Sequence, residues 1–245
     1  GVLGPRATVI HATHLTGGDV RLLGRAGVSA CFCVTTERDL SDGIGPAPEL
    51  AAAGVRLTVG SDSQATIDLL EEARGVEADE RLRSQRRGHF TAAELLTAAT
   101  SAGARSIGWP EAGALRAGDL ADFVALRLDS VRTAGYATES ILETAVFAAS
   151  ASDITDVVVG GRTVVTAGRH HRVPDVPTAL RRRPDEKPRS DPRSWRGSPR
   201  GSTRRKQRST GPSQRPDGEK DVSEPNVGLA VHGRAPPLVR QGEPG

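Results

Sequence analysis

Two short stretches carry the side chains best suited to chemistry. In Val9-Ile10-His11-Ala12-Thr13-His14-Leu15 an apolar run ends on a histidine, and in Val59-Gly60-Ser61-Asp62-Ser63 another ends on a carboxylate. An imidazole at the end of a strand can ligate a metal or hold a proton near neutral pH; it can equally satisfy a loop carbonyl. A carboxylate so placed can bind a hard or borderline cation and shuttle a proton from metal-bound water; it can equally cap the following helix through backbone N–H groups. Order and position favour chemistry. The histidine ends one strand and the aspartate ends another two strands later, with Gly60 making room ahead of Asp62.

Lesser candidates surround these two. His14 follows His11 by three residues and faces either the same space or only the loop, the structural role being preferred. Glu37 and Asp42 either shape a substrate pocket or serve as helix caps and Asx-turn residues. His89, in an Arg-rich polar stretch, reads as a surface residue. Cys31 and Cys33 sit two apart in a strand-like run. Side chains so close on one face do not easily form an unstrained bridge, so both read as reduced core thiols, which suits a cytosolic compartment.

The elements that must position these residues show a repeating pattern. Residues 7–10 form a β-prone run, Gly17-Gly18-Asp19 leads into Val20, Leu22, Leu23 and Ala26 at helical spacing, and residues 28–34 form a second buried strand. Residues 35–48 read as a loop, 49–53 as a short helix closed by Gly54, and 56–60 as a third strand. A longer helix follows, carrying Ile67, Leu69, Leu70 and later Leu82. Three β-loop-α units argue for a parallel sheet with helical crossovers, either open and doubly wound or a β/α barrel. Both folds place chemistry at the C-terminal ends of the strands, where His11, residues 35–42 and Asp62 fall. Residues 92–107 predict one helix with a Thr91/Glu94 capping box. Residues 123–128 predict a strand, and 157–166 a hairpin turning at Gly160-Gly161, which suggests a small separate β layer.

Composition divides the chain. Residues 1–169 hold 16 Arg, no Lys and 21 acidic residues, a net charge of −5, whereas residues 170–245 hold 17 basic and 9 acidic residues, a net of +8, and 12 of the 16 prolines. The second part has no periodicity and reads as a disordered basic tail or a translated wrong frame; a nucleic-acid-binding arm over 181–206 is its functional alternative. No run of 18 apolar residues exists, which rules out a membrane-spanning helix, and no leader pattern opens the chain. The absence of any methionine among 245 residues is read as a missing beginning.

Taken in order, Ile10 to Leu15, Thr35-Thr36-Glu37 with Leu40 and Asp42-Gly43-Ile44, and Gly60-Ser61-Asp62-Ser63 resemble strands six, seven and eight of the amidohydrolase superfamily. Gly118-Asp119-Leu120-Ala121-Asp122-Phe123 is similar to the superfamily's return to its β-sandwich. Residues 159–165 with Gly168-Arg169 are similar to its closing hairpin. The loop Thr36-Glu37 with Asp42-Gly43-Ile44 replaces the Ser-Asn pair usual in the aminohydrolase branch. It resembles the formimidoylglutamate deiminase subfamily.

The resemblance covers roughly residues 1–170. It implies an α/β fold: the C-terminal part of a metal-dependent (β/α)8 TIM barrel, strands 6–8, over 1–110, and β-sandwich return strands over 111–169, ahead of the tail at 170–245. It also implies one Zn2+ per site, with Asp62 as last metal ligand and proton shuttle and His11 hydrogen-bonding the attacking hydroxide or the tetrahedral intermediate. The activity implied is hydrolysis of N-formimidoyl-L-glutamate to N-formyl-L-glutamate and ammonia in histidine degradation. A deaminase of guanine or a related ring substrate is the alternative within the same chemistry.

The superfamily's first-strand His-x-His pair, a further metal histidine and the general-acid Glu belong to strands that would precede Gly1, so the chain is expected to be inactive alone. Gln64 stands where the family commonly has His. The implied partner is a small-molecule substrate, with the substrate-binding residues unknown; neither membrane nor nucleic acid is expected, and a homodimer is left open for the full-length enzyme.

Overall fold

The computed structural model describes residues 1–63 and 66–181, together with the backbone of 229–232. Gln64 and most of the basic tail lie outside the described residues. One compact unit contains residues 1–172 and the strand at 229–232; the described part of the other is 173–181.

The first unit opens with a parallel sheet of β1 (Thr8–Ile10), β2 (Ser29–Phe32) and β3 (Arg56–Val59), in that order, with Val9 opposite Ala30 and Ala30 opposite Leu57. Helix α1 (Gly17–Ala26) joins β1 to β2. Thr16 and Asp19 form its capping box, Gly27 ends it at φ 65, and it buries Val20 and Leu23. Successive side chains of β2 take opposite faces. Ala30 and Phe32 join the core with Val28, Leu23, Leu50 and Val76, whereas Cys31 on the other face is half-buried.

Between β2 and β3 the structure departs from the expected loop over 35–48, because residues Val34–Leu40 form a helix, α2, ahead of α3 (Ala47–Ala52). The cause lies far away in sequence. Thr35, in the first turn of α2, donates its backbone N–H (3.1 Å) and its hydroxyl to Glu72, so a distant carboxylate satisfies the helix start.

Glu72 belongs to α4 (Leu69–Ser84), which Asp68 caps by accepting from Leu70 N (3.0 Å) and Glu71 N (3.3 Å). This helix buries Leu70, Ala73 and Val76, and also Glu72, Glu77 and Glu80. Of the residues expected in this helix, Ile67 lies ahead of the Asp68 cap and is 70% exposed, and Leu82 is 76% exposed. The buried carboxylates have partners that offset desolvation: Glu77 accepts from Arg81 Nε, Gly88 N and Phe90 N, and Glu80 from Arg83. Arg38 of α2 also reaches Asp79 of α4 at 2.8 Å, locking the two helices together.

The expected capping box at Thr91 and Glu94 is present, but residues 92–107 form two helices, α5 (Ala92–Ala99) and α6 (Ser101–Ser106). They break at Thr100, whose hydroxyl donates to Leu96 O at 2.6 Å. Gly113 packs so closely on Ser101 that a Cβ would lie 2.6 Å from its backbone. The second sheet has the order β7-β6-β5-β4-β8, from β4 (Phe123–Arg127), β5 (Ile154–Val159), β6 (Arg162–Thr166), β7 (Arg169–His170) and β8 (Leu229–His232); all neighbours are antiparallel except β4 and β8. Gly160 and Gly161 turn the β5–β6 hairpin at φ 55 and 72, the left-handed pair that a tight hairpin needs. Helix α7 (Ile141–Phe147) packs on α4 and α5, and its Ala145 and Val146 share one core with Leu126 of β4 and the first sheet.

In the second unit, the described residues contain one helix, α8 (Val176–Arg181), with Asp175 accepting from Thr178 N at 3.1 Å. Among the described residues, no helix is long and apolar enough to cross a membrane.

Candidate active site

The parallel register brings the ends of β1, β2 and β3 to one edge. Pairing runs one residue past each outer strand, with His11 N donating to Cys31 O (2.8 Å) and Gly60 N to Phe32 O (3.0 Å), before the chain turns away. Both turns use backbone conformations that L-residues avoid. His11, Ala12 and Asp62 have φ of 66, 53 and 43, three of the six non-glycine residues with positive φ among those described. Each such residue costs about 1–2 kcal/mol, somewhat less for Asp. Strain gathered at one spot and held by the surrounding structure is a feature of functional sites.

The side chains that meet there are His11, Glu37 and Asp62. His11 Nδ1 lies 3.2 Å from Glu37 Oε1, and His11 Nε2 lies 3.7 Å from Asp62 Oδ2. The same Glu37 oxygen accepts the Cys33 backbone N–H at 2.8 Å, so the carboxylate has a fixed place. A carboxylate only accepts, so Nδ1 donates to Glu37, while Nε2 is turned toward Asp62. Glu37 is only 4% exposed. Burial pushes its carboxyl above the ordinary value, against the hydrogen bonds from Cys33 N–H and His11. Asp62 is 45% exposed.

A second device holds the Asp62 turn. Thr36 is 1% exposed; its hydroxyl oxygen accepts from Ser63 N at 3.3 Å and lies 3.3 Å from Ser61 O and 3.0 Å from Ser63 Oγ. Helix α2 therefore sets both side chains, His11 through Glu37 and Asp62 through Thr36. Beneath them both cysteines are free. Cys33 is buried as expected, but Cys31 is half-buried and stands outside the hydrophobic cluster that Ala30 and Phe32 join on the other face of β2. The neighbouring Cys33 thiol stabilises a Cys31 thiolate, with further help from the Thr58 hydroxyl, and lowers it to about 7, while Cys33 is pushed up.

The remaining candidates lie outside this group. His14 is exposed, and Asp42 serves the end of α2, its backbone N donating to Glu37 O at 2.9 Å. His89 is half-buried rather than on the surface, 2.7 Å from Ser84 Oγ. An apolar cavity of about 520 Å³ lies between α4, α5 and the second sheet, and neither His11, Glu37 nor Asp62 lines it. The orienting role of Glu37 and the clamp at Thr36 were not foreseen. Their position in the first turn after β2, between the strands that lead into His11 and Asp62, is the signal that could have found them.

The amidohydrolase family matches residues 1–164. The chain belongs to that family. This amidohydrolase chain is 36% identical over 172 residues to formimidoylglutamate deiminase of Pseudomonas aeruginosa, a match covering 67% of this chain and 38% of that protein. It is 36% identical over 138 residues to 8-oxoguanine deaminase of the same species, covering 55% of this chain and 30% of that protein. A crystal structure of an adenosine deaminase from Xanthomonas campestris with bound zinc superposes with a TM-score of 0.63 at 28% identity, covering 68% of this chain and 38% of that one. The chain thus spans 30–38% of the length of these relatives.

As in that relative, zinc is the metal to test against the residues of this amidohydrolase. Among the described residues no three His, Cys, Asp or Glu side chains come together in a group able to hold a metal ion. One donor does fit. The Asp62 carboxylate is half-exposed, has an imidazole 3.7 Å away, and is carried on a turn that Thr36 clamps.

Proposed function

We propose that this chain supplies Asp62 and His11 to a zinc-dependent hydrolase of N-formimidoyl-L-glutamate, releasing ammonia and N-formyl-L-glutamate. In this reading β1, β2 and β3 are strands six to eight of a (β/α)8 barrel, residues 111–169 are return strands of a small β-sandwich, and Asp62 is one ligand of a single zinc. The observation that carries the reading is the line Glu37–His11–Asp62, with one imidazole nitrogen held at 3.2 Å and the other turned toward a half-exposed carboxylate. A bound zinc would supply a water acidic enough to ionise near pH 7.

The chain's own residues then do three things. Asp62 takes a proton from the attacking water and passes it toward the leaving nitrogen. His11 Nε2 lies where it can hold a hydrogen bond to the oxygen that adds to the formimidoyl carbon. Glu37 keeps His11 in the tautomer and orientation this needs. The similarity to formimidoylglutamate deiminase supports the substrate choice. An equal identity to 8-oxoguanine deaminase over a shorter stretch supports the second reading, a deaminase of a purine ring.

The test is a chimera in which residues 1–169 replace the matching part of the Pseudomonas aeruginosa formimidoylglutamate deiminase, loaded with zinc and assayed for ammonia release. Turnover of N-formimidoyl-L-glutamate that is lost in Asp62→Asn is expected. A folded, zinc-loaded chimera that deaminates 8-oxoguanine and leaves N-formimidoyl-L-glutamate untouched overturns the substrate choice. The 245-residue chain alone is expected to be inactive, and turnover by it that disappears in Asp62→Ala would refute the need for further metal ligands.

A further inference from the structure

Cys31 and Cys33 stand on one face of β2 and its extension, directly below the edge that carries His11 and Asp62. Opposite them is Gly60. A Cβ placed on Gly60 would lie 3.2 Å from Cys31 Sγ and 3.5 Å from Cys33 Sγ, so both sulfurs border one small space that only a glycine leaves open. We propose that Cys31 and Cys33 form a dithiol site that takes one thiophilic metal or metalloid centre, bound through both sulfurs in the space over Gly60.

The geometry favours a bridging atom over a direct bond. A disulfide needs sulfurs about 2.05 Å apart and Cβ atoms about 3.5–4.5 Å apart. Residues two apart on a strand rise about 6.6 Å with parallel side chains, and closing that gap would pull β2 out of register. A central atom with bonds of about 2.3 Å to each sulfur holds them up to about 4.6 Å apart, a separation the two side chains reach by leaning toward each other while the strand stays in place. The Cys31 thiolate is also the form that coordinates, and the Cys33 thiol and Thr58 hydroxyl favour it. Cys31 is half-buried on the face of β2 turned away from the core, which gives an incoming reagent a first sulfur to meet. Buried Cys33 then closes the second bond.

A trivalent arsenical tests the pairing without redox chemistry. Phenylarsine oxide and two thiols form two As–S bonds, and the arsenic-bound oxygen leaves as water with both thiol protons. The reduced 245-residue chain is expected to take up one phenylarsine group by intact mass, to keep it in excess monothiol, and to release it to excess dithiol. Cys31→Ser and Cys33→Ser each remove an intramolecular second ligand, so each is expected to bind roughly 100-fold more weakly. Gly60→Ala retains both thiols, with half-buried Cys31 still open to a monofunctional alkylating agent, yet fills the seat and weakens binding comparably. Failure of the native chain to form the adduct overturns the site, whether or not its thiols alkylate. So does a monothiol-resistant adduct that survives in either serine variant, and these two variants decide the matter if Gly60→Ala does not fold.

Discussion

Glu37 offers the sharpest test of how the site is built, because one of its oxygens does two jobs. Oε1 accepts both the Cys33 backbone N–H at 2.8 Å and His11 Nδ1 at 3.2 Å, inside a pocket that leaves the residue 4% exposed. Glu37→Ala removes this acceptor and leaves the Cys33 N–H buried without a partner, a cost of about 1–3 kcal/mol. Lost burial of the γ-methylene adds about 0.8 kcal/mol. The expected destabilisation is therefore about 2–4 kcal/mol. Glu37→Gln presents one oxygen in the same place and so retains both hydrogen bonds.

Its effect on stability follows from the direction in which burial moves the Glu37 carboxyl, upward from 4.5. A carboxyl raised in the folded state holds its proton more tightly there than in the unfolded chain. Its share of stability is thus present below pH 4.5 and lost as pH rises through the folded value, and the deficit persists above it. Glu37→Gln has no such loss. Urea unfolding from pH 4 to 8 should show the glutamine variant gaining on the native chain as pH rises and then running level with that gain, while the alanine variant stays below both. Nitrogen-15 spectra of the imidazole should show the Nδ1–H tautomer of His11 in the native chain and the glutamine variant and a mixture in the alanine variant. A glutamine variant as damaged as the alanine variant at neutral pH would refute the argument that acceptor geometry, not charge, holds His11.

Glu77 should behave in the opposite way. Both its oxygens are engaged, Oε1 by Gly88 N and Arg81 and Oε2 by Phe90 N. Glu77→Gln must turn an amide N–H toward a donor and should lose about 3–5 kcal/mol at pH 7 by urea unfolding. Burial raises the Glu77 carboxyl, but the hydrogen bonds from Arg81, Gly88 and Phe90 outweigh it and leave it below 4.5. Its contribution is present above pH 4.5 and lost as pH falls through the lower folded value, so the variant should also show a shallower acid transition. Ala12→Gly relieves a φ of 53 and should raise stability by about 0.5–1 kcal/mol, since ~1–2 kcal/mol of strain exceeds the added chain entropy. Thr36→Val keeps the side-chain shape but removes the clamp on residues 61–63, and faster amide exchange at Ser63 with a loss of about 1–2 kcal/mol is expected.

Much of this was legible in the chain itself. The strand end at Ile10, the third strand closing within a residue of Gly60, the capping box at Thr91 and the Gly160-Gly161 turn are local features, because each depends on residues within a few positions of one another. His11 and Asp62 could be singled out for the same reason, as polar residues closing apolar runs. What the sequence by itself determined was which side chains end the parallel strands, hence which groups share one edge.

The rest required distant partners. Helix α2 starts because Glu72, 37 residues later, receives the Thr35 N–H, and no pattern within residues 35–48 contains that acceptor. Nothing local in the sequence marks Glu72, Glu77 and Glu80 as buried, yet all three are, and the groups that pair with them come largely from α2, from residues 88–90 and from neighbouring arginines. Cys31 reads as a core thiol, yet β2 turns it away from the core and toward Gly60. Only the tertiary structure decided that Glu37 holds His11 and that Thr36 holds the Asp62 turn. Those contacts join positions 25 to 27 residues apart, and their energy exists only once β1, β2 and β3 lie side by side.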